Sequence, residues 1–216
     1  MFLVFEGADG SGKTTATESV ADWLRDEFGR DNIVITKEPF NKELCRRLFH
    51  PEETDVKLDV WATTALFIAD RAAHVQFIND MLKKGKIVIC DRFADSTVAY
   101  QFFGQTDGKN DDLLSFITDA HRTIIGGRYI PDLSILFDCS PETAARRLRD
   151  SGGQHINPDI DFLSRVIAGY QKIFSGQINP NITPSRQRFI IDTDKNGVQE
   201  TFELTQRVIR ETIEDA

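Results

Sequence analysis

The sequence predicts an α/β fold: a five-stranded parallel sheet covered by helices on both faces. Three observations carry this. Five apolar runs of four or five residues, rich in Val, Ile, Leu and Phe, recur along the chain. Their hydrophobicity is continuous rather than alternating, as expected of strands buried on both faces. Longer segments with helical spacing separate them, and strands alternating with helices imply a parallel sheet with right-handed crossovers.

The elements follow in order. The first strand is expected at Phe2–Phe5, and a glycine-rich loop then opens a helix, Thr15–Phe28, that carries Val20, Trp23, Leu24 and Phe28 on one face. Ile33–Thr36 reads as the second strand. Val60–Leu82 is a long helix with Leu66, Phe67, Ala73, Phe77, Ile78, Met81 and Leu82 at helical spacing, and Gly85 stops it. The third strand, Lys86–Cys90, precedes a polar loop at Gln105–Asp111 and a helix at Asp112–Ile125. Leu133–Phe137 is the fourth strand and Pro141–Arg149 the next helix. A second polar, glycine-containing loop, Asp150–Pro158, lies between that helix and Phe162–Phe174, where a movable flap is expected. Arg188–Ile191 and Val198–Ile213 close the pattern. No internal repeat or low-complexity linker interrupts the 216 residues, which suit a single domain spanning 1–216.

Composition narrows the class. Hydrophobic residues make up 40% and charged residues 28%, the balance of an ordinary globule. The net charge of −8 argues against bulk binding to nucleic acid or an anionic membrane surface. It does not exclude a nucleotide ligand, because whole-surface repulsion is screened beyond about 8 Å at physiological salt. A close arginine–phosphate pair gains on the order of 4 kcal/mol at an effective dielectric of 20, before desolvation. Cys45, Cys90 and Cys139 are odd in number and lack metal-ligand spacing, a pattern of the reducing cytosol. The apolar start runs straight into Glu6 and the glycine loop with no basic segment before it, so no signal peptide is expected, and no apolar run is long enough to span a membrane. A cytoplasmic location is the expectation, host cytoplasm if the protein is viral.

The run Gly7-Ala8-Asp9-Gly10-Ser11-Gly12-Lys13-Thr14 fits the phosphate-binding pattern G-x-x-x-x-G-K-[ST], between a strand and a helix as the motif requires. Glycines let several backbone N–H groups point at one anion, and the positive end of the following helix adds to them. Lys13 reaches for the outer phosphates of a bound nucleotide, with Thr15 beside it, and Thr14 offers a hydroxyl to Mg²⁺. The third strand ends in Asp91-Arg92, where an open α/β sheet places its ligand crevice. Asp91 is a candidate second metal ligand and Arg92 a candidate anion grip. No N-K-x-D guanine signature is present. His50, His121 and His155 show no ligand spacing.

Further segments in order carry a resemblance to the thymidylate kinases, nucleoside-monophosphate kinases of the P-loop NTPase fold. They are Phe5-Glu6-Gly7 with the loop, Glu38-Pro39, Phe67-Ile68-Ala69-Asp70-Arg71-Ala72-Ala73-His74, Asp91-Arg92-Phe93 with Ser96, Ala99-Tyr100-Gln101, Pro131-Asp132-Leu133, and Arg165-Val166 with Gly169-Tyr170. The resemblance implies transfer of the ATP γ-phosphoryl group to dTMP, a short lid at about 146–160, and a homodimer. It assigns Phe67 to stacking on thymine, Arg71 to a base oxygen, Gln101 to the base edge, and Glu38 and Ser96 to the acceptor site. Arg46 (or its neighbour Arg47) and Arg92 grip the acceptor phosphate, and Asp9 lies near the acceptor sugar and the attacking phosphate. His74 is expected to pack. Related acceptors, dUMP or a 5-substituted dUMP, stay open, as do a deoxynucleoside kinase and a nucleotide-binding module without transferase activity.

Two departures stand out. Members of the family place an arginine in the phosphate loop or in the lid body, and this chain has none in either. Only Arg146, Arg147 and Arg149 remain nearby. The expectation is that Arg149 supplies the transition-state cation and Arg147 lies nearer adenine. After Glu38-Pro39, where the family often has Gly-Gly, this chain has Phe40-Asn41.

Overall fold

The structure is a computed structural model that describes residues 1–46, 57–126, 129–152 and 159–215. Its centre is a five-stranded, all-parallel sheet in the order β2-β3-β1-β4-β5. The strands are β1 (Phe2–Glu6), β2 (Ile33–Lys37), β3 (Ile87–Asp91), β4 (Leu133–Asp138) and β5 (Gln187–Asp192). The helices are α1 (Lys13–Phe28), α2 (Val60–Lys83), the short α3 (Ala94–Thr97), α4 (Asp111–Ile124), α5 (Pro141–Gly152), α6 (Ile160–Phe174) and α7 (Val198–Glu214). A single turn of 3₁₀ helix covers Arg30–Asn32.

Each expected strand and long helix is present. The central strands carry both faces of the core. Leu3 and Phe5 of β1 join Val20 and Leu24 of α1 and Val208 and Ile209 of α7 on one face. Phe2 and Val4 point the other way, against Val75 and Ile78 of α2. The same second face continues through Leu136 to Val98, Leu163 and Val166. Burial on both faces does not extend to the sheet edges: Ile35 of β2 and Ile190 of β5 are exposed. The N-termini of α2, α4 and α6 are capped by Asp59, Asn110 and Asp159, whose side chains accept from Ala62, Leu113 and Phe162 N–H groups.

One element has no helical or strand periodicity in the sequence. After α3, Val98–Gly104 forms a π-helix that packs its aromatic residues against α6. The fit is close: a Cβ at Gly169 would lie 2.6 Å from the Phe103 ring. This wide turn sets Tyr100 and Gln101 over the crevice, in keeping with the frequent use of π-turns at functional sites. The crevice itself opens where the chain leaves β1 and β3, the point at which successive crossovers diverge across the sheet.

Candidate active site

The loop between β1 and α1 is built on glycines in the left-handed half of backbone space. Gly10 has φ 82° and a Cβ there would lie 2.4 Å from the Ala144 carbonyl oxygen, so no other residue fits without moving α5. Gly12, at φ 88°, ends the loop, and no side chain caps the first N–H groups of α1. Those donors are left for a ligand. Ser11 Oγ is buried with no hydrogen-bond partner.

Two cavities of about 690 and 700 Å³ flank this loop, and both are lined by Asp9, Lys13 and Thr14. The first also includes Gly10, Ser11, Gly12, Thr15, Arg147 and Thr193. The second also includes Glu38, Arg46, Phe67, Arg71, Asp91, Arg92, Ser96, Tyr100 and Gln101. The candidate residues are therefore sorted into two groups that meet at one junction. Lys13 Nζ lies there, 3.0 Å from Asp91 Oδ1. Burial, then the nearby Arg92, lowers the Lys13 pKa, with Asp91 and Asp9 opposing. Asp91 Oδ1 is itself buried and makes no hydrogen bond in addition to this ion pair.

Arg92 occupies a left-handed conformation, φ 73°, rare for a residue with a long side chain. Nη2 donates to Asp9 Oδ1 at 2.6 Å and to the Tyr100 hydroxyl at 2.9 Å. Nη1 donates to the Gly7 carbonyl at 3.0 Å, and the guanidinium lies over the Tyr100 ring. Tyr100 also donates to Asp9 Oδ2. Burial alone would raise the Asp9 pKa, but Arg92 and Lys13 overcome it and hold the carboxyl below its ordinary value. Asp9 is thus an anion fixed between two cations at the junction.

Arg71 sits deeper, 1% exposed. Nε and Nη2 bind the Glu38 carboxylate, with Nη2 2.5 Å from Oε2. Nη1 donates to Thr97 Oγ1 and His121 Nε2, and Nη2 also to the Phe93 carbonyl. All five guanidinium hydrogens are thereby directed to protein atoms. Glu38, expected at the acceptor, turns its carboxylate to Arg71 and His74 while lining the cavity. His74 packs as expected, bonded to Thr36 and stacked on Phe40. Phe40 N and Asn41 N donate to the buried Asp70 carboxylate, both at 2.6 Å. The Phe40-Asn41 departure is therefore accommodated by Asp70 below the loop and the His74 ring beside it. His121, with no spacing signal, is buried behind Arg71. Its Nδ1 lies 2.9 Å from the Ile182 carbonyl, so Nε2 is left to accept from Arg71. Burial and the Arg71 charge depress its pKa to about 3.

The three arginines of α5 separate. Arg147 donates to the Gly10 carbonyl at 3.3 Å, Thr193 Oγ1 at 3.0 Å and the Thr193 carbonyl at 2.8 Å, and lines the first cavity. Arg146 and Arg149 are exposed and line neither cavity. Arg149, expected to supply the cation, is thus not among the residues that line either cavity. Ala144, Arg147, Leu148 and Ser151 share the helix face toward the loop, and Arg149 lies about 200° around the helix from Arg147. Residues 153–158 of the expected lid, with His155, and Arg47 and His50 lie outside the described residues. Reading the sequence missed Tyr100, Tyr170, Thr193, His121 and Glu6. Tyr100 and Tyr170 stood inside quoted segments, but nothing in their spacing indicated that their hydroxyls converge on Arg92.

The chain is similar to known proteins along most of its length. The thymidylate kinase family model matches residues 5–190. A thymidylate kinase of Wolbachia pipientis subsp. Culex pipiens is 36% identical over 200 residues, covering 92% of this chain and 91% of that one. A thymidylate kinase of Mesoplasma florum is 35% identical over 220 residues, covering 99% and 97%. The crystal structure of thymidylate kinase from Ehrlichia chaffeensis superposes with a TM-score of 0.70 at 31% identity, over 97% of this chain and 98% of that one. With its phosphate loop, paired cavities and near full-length similarity, the chain belongs to the thymidylate kinase family.

Proposed function

We propose that the protein transfers the terminal phosphoryl group of ATP to dTMP, giving ADP and dTDP. The observation that carries this reading is the pair of cavities sharing Asp9, Lys13 and Thr14. A phosphate donor in the first and a phosphate acceptor in the second meet end to end over one lysine. The acceptor phosphate is already ionised at neutral pH, so catalysis rests on alignment and charge neutralisation rather than on a strong base. Lys13 leaves Asp91 to reach the migrating group, Arg92 and Arg46 hold the acceptor phosphate, and Arg147 supplies the cation on the donor side. Asp9 keeps Arg92 aimed at the junction. Phe67 offers a ring face to the base and Gln101 an amide to its edge, with Arg71 beneath them as a charged floor.

Thr14 and Asp91 are hard oxygen donors at the junction, and Asp91 Oδ1, which already faces the Lys13 ammonium at 3.0 Å, suits a cation there. Among the described residues no three His, Cys, Asp or Glu side chains cluster as a metal cage, which suits Mg²⁺ held chiefly by nucleotide phosphates and water. When bound, Mg²⁺ neutralises charge on the phosphate chain. The exposed pair Trp61 and Phe116, ring centroids 5.9 Å apart on α2 and α4, supports a homodimer through that face. Three unpaired buried cysteines support a cytoplasmic setting. The net charge supports small nucleotides rather than nucleic acid or membrane as partners, and no helix among the described residues is long and apolar enough to cross a membrane.

The test is a coupled ADP-release assay with ATP and Mg²⁺ against dTMP, dUMP, dCMP, dGMP and thymidine. The expected order places dTMP first and gives no turnover of thymidine. Turnover of thymidine alone would move the protein to the nucleoside kinases, and binding of dTMP without ADP release would make it a non-transferring module.

A further inference from the structure

One buried carboxylate has no part in the chemistry proposed above. Glu6 ends β1 and is fully buried behind the junction. Oε1 accepts from the Phe93 N–H at 2.8 Å. Oε2 accepts from Ser96 Oγ at 2.6 Å and from the Tyr170 hydroxyl at 3.0 Å. Those hydroxyl oxygens are 2.7 Å apart, and Arg92 Nη1 donates to both, at 3.4 Å to Ser96 and 3.2 Å to Tyr170. Three elements thus converge on one carboxylate: the end of β1, the segment after β3 and, through Tyr170, helix α6.

Proton counting gives this cluster a direction. Each hydroxyl has one hydrogen and two lone pairs. Glu6 Oε2 draws these hydrogens toward itself, either from each hydroxyl directly or from one while the other donates across the 2.7 Å contact, and in both arrangements the oxygens present lone pairs to Arg92. A neutral side chain cannot reproduce this. A glutamine in the same place must aim its NH₂ either at the two hydroxyls, turning their hydrogens toward the guanidinium, or at the Phe93 N–H, setting donor against donor. The bond to Phe93 N also fixes the residue that follows Arg92, whose left-handed backbone needs support from outside itself.

We propose that Glu6 is a positioning residue: as a carboxylate it orients the Ser96 and Tyr170 hydroxyls and anchors Phe93, and so holds Arg92 toward the acceptor phosphate. This rests on the reading of the second cavity as the acceptor site. A buried group serving packing alone would be better neutral, because burying a carboxylate is costly. Burial, reinforced by Asp95, pushes the Glu6 pKa up to about 7 even though Ser96, Arg92 and Phe93 favour the anion. This costly group sits beside the arginine that spans Asp9, Gly7 and the hydroxyl pair.

The test compares wild type, Glu6→Gln and Tyr170→Phe by steady-state kinetics, by calorimetric dTMP binding and by thermal melting. For Glu6→Gln the expected result is a rise in dTMP KM and Kd of roughly tenfold or more, with ATP KM within about twofold of wild type. Tyr170→Phe is expected to raise dTMP KM by a smaller factor, and the double variant to fall short of the product of the two, because both act through Arg92. A lowered melting temperature with the dTMP and ATP constants unchanged would overturn the proposal and leave Glu6 a structural group. Equal rises in both KM values would also overturn it. If Glu6→Gln does not fold, Tyr170→Phe decides alone, and an unchanged dTMP KM refutes. A wild type that binds dTMP without turnover sinks the transferase reading but leaves the binding comparison decisive. A wild type that does neither overturns both.

Discussion

Replacing Arg147 with alanine removes the only α5 arginine that reaches the phosphate loop. Its guanidinium bonds the Gly10 carbonyl and both oxygens of Thr193, which places a fixed positive charge at the rim of the first cavity. The phosphate loop holds no arginine, so this side chain is the candidate for neutralising charge that develops as the phosphoryl group moves. Loss of one preorganised donor of this kind costs about 10²–10³ in kcat, or about 2.7–4 kcal/mol. A further part of the effect belongs to the loop, because hydrogen bonds from a charged group contribute about 1.5–3 kcal/mol each; that part appears as a lower melting temperature. Arg149→Ala removes an exposed charge from another helix face, where screening leaves little effect, so kcat should stay within about threefold of wild type. The assay is coupled ADP release at saturating ATP and dTMP, paired with thermal melting. A hundredfold loss in Arg149→Ala with near-normal Arg147→Ala would refute the reasoning. A rise in ATP KM at unchanged kcat in Arg147→Ala would remove Arg147 from the transition state and leave it with the adenine.

Two further outcomes follow from the buried network under the second cavity. Arg71→Ala leaves the buried Glu38 carboxylate with only His74 of its two charged or ionisable partners, and breaking a buried pair in this way costs about 3–5 kcal/mol. For a chain of this size that corresponds to a fall in melting temperature of roughly 6–20 °C. A fall below about 2 °C would show that Glu38 finds another partner or water. His121 gives a pH signature. Its folded pKa lies near 3, below the ordinary histidine value of 6.5, so the unfolded chain takes up its proton first on acidification. The stability it contributes is complete above about pH 6.5 and is lost as pH falls toward 3. The groups that face it are the Arg71 guanidinium and the Ile182 carbonyl. Glu6 acts in the opposite sense: its raised pKa favours the fold below about pH 4.5 and loses that contribution as pH rises through 7. The informative measurement is therefore the difference in melting temperature between wild type and His121→Gln from pH 7 to pH 4.5. The gap should narrow toward acid, and a constant gap would mean that His121 takes up its proton as readily in the fold as in the unfolded chain.

The fold was legible because its two signals are local. The continuous apolar runs that became β1, β3 and β4 face helices on both sides, so no polar residue is needed at alternate positions. The helices that flank them kept their 3.6-residue spacing and their caps. The segment Val98–Gly104 escaped because a π-turn has no favoured period, and its apolar residues satisfy contacts from α4 and α6 rather than from one face. The edge strands were read as buried because Ile35 and Ile190 look no different in sequence from Leu3 or Ile135. What separates them is the absence of a neighbour on one side, a property of strand order that becomes fixed only when the sheet assembles.

The site divides along the same line. The phosphate loop is written in consecutive residues, because its glycines and Lys13 act within one turn of chain, and Asp91-Arg92 could be placed by its position at a strand end. The supporting shell is assembled across long separations. Glu6 meets Ser96 and Tyr170 at intervals of 90 and 164 residues, and Arg71 meets His121 across 50. None of these residues has a spacing that sets it apart from an ordinary core or surface group. The α5 arginines show the limit most clearly. Three cations in four positions are equivalent as letters, and only the register of one helix turn against the Gly10 carbonyl chooses among them. In this protein the phosphate loop is encoded locally, whereas the groups that support and aim the side chains around it are encoded by the tertiary fold. Substitutions in the second set should therefore change affinity and direction before they abolish chemistry.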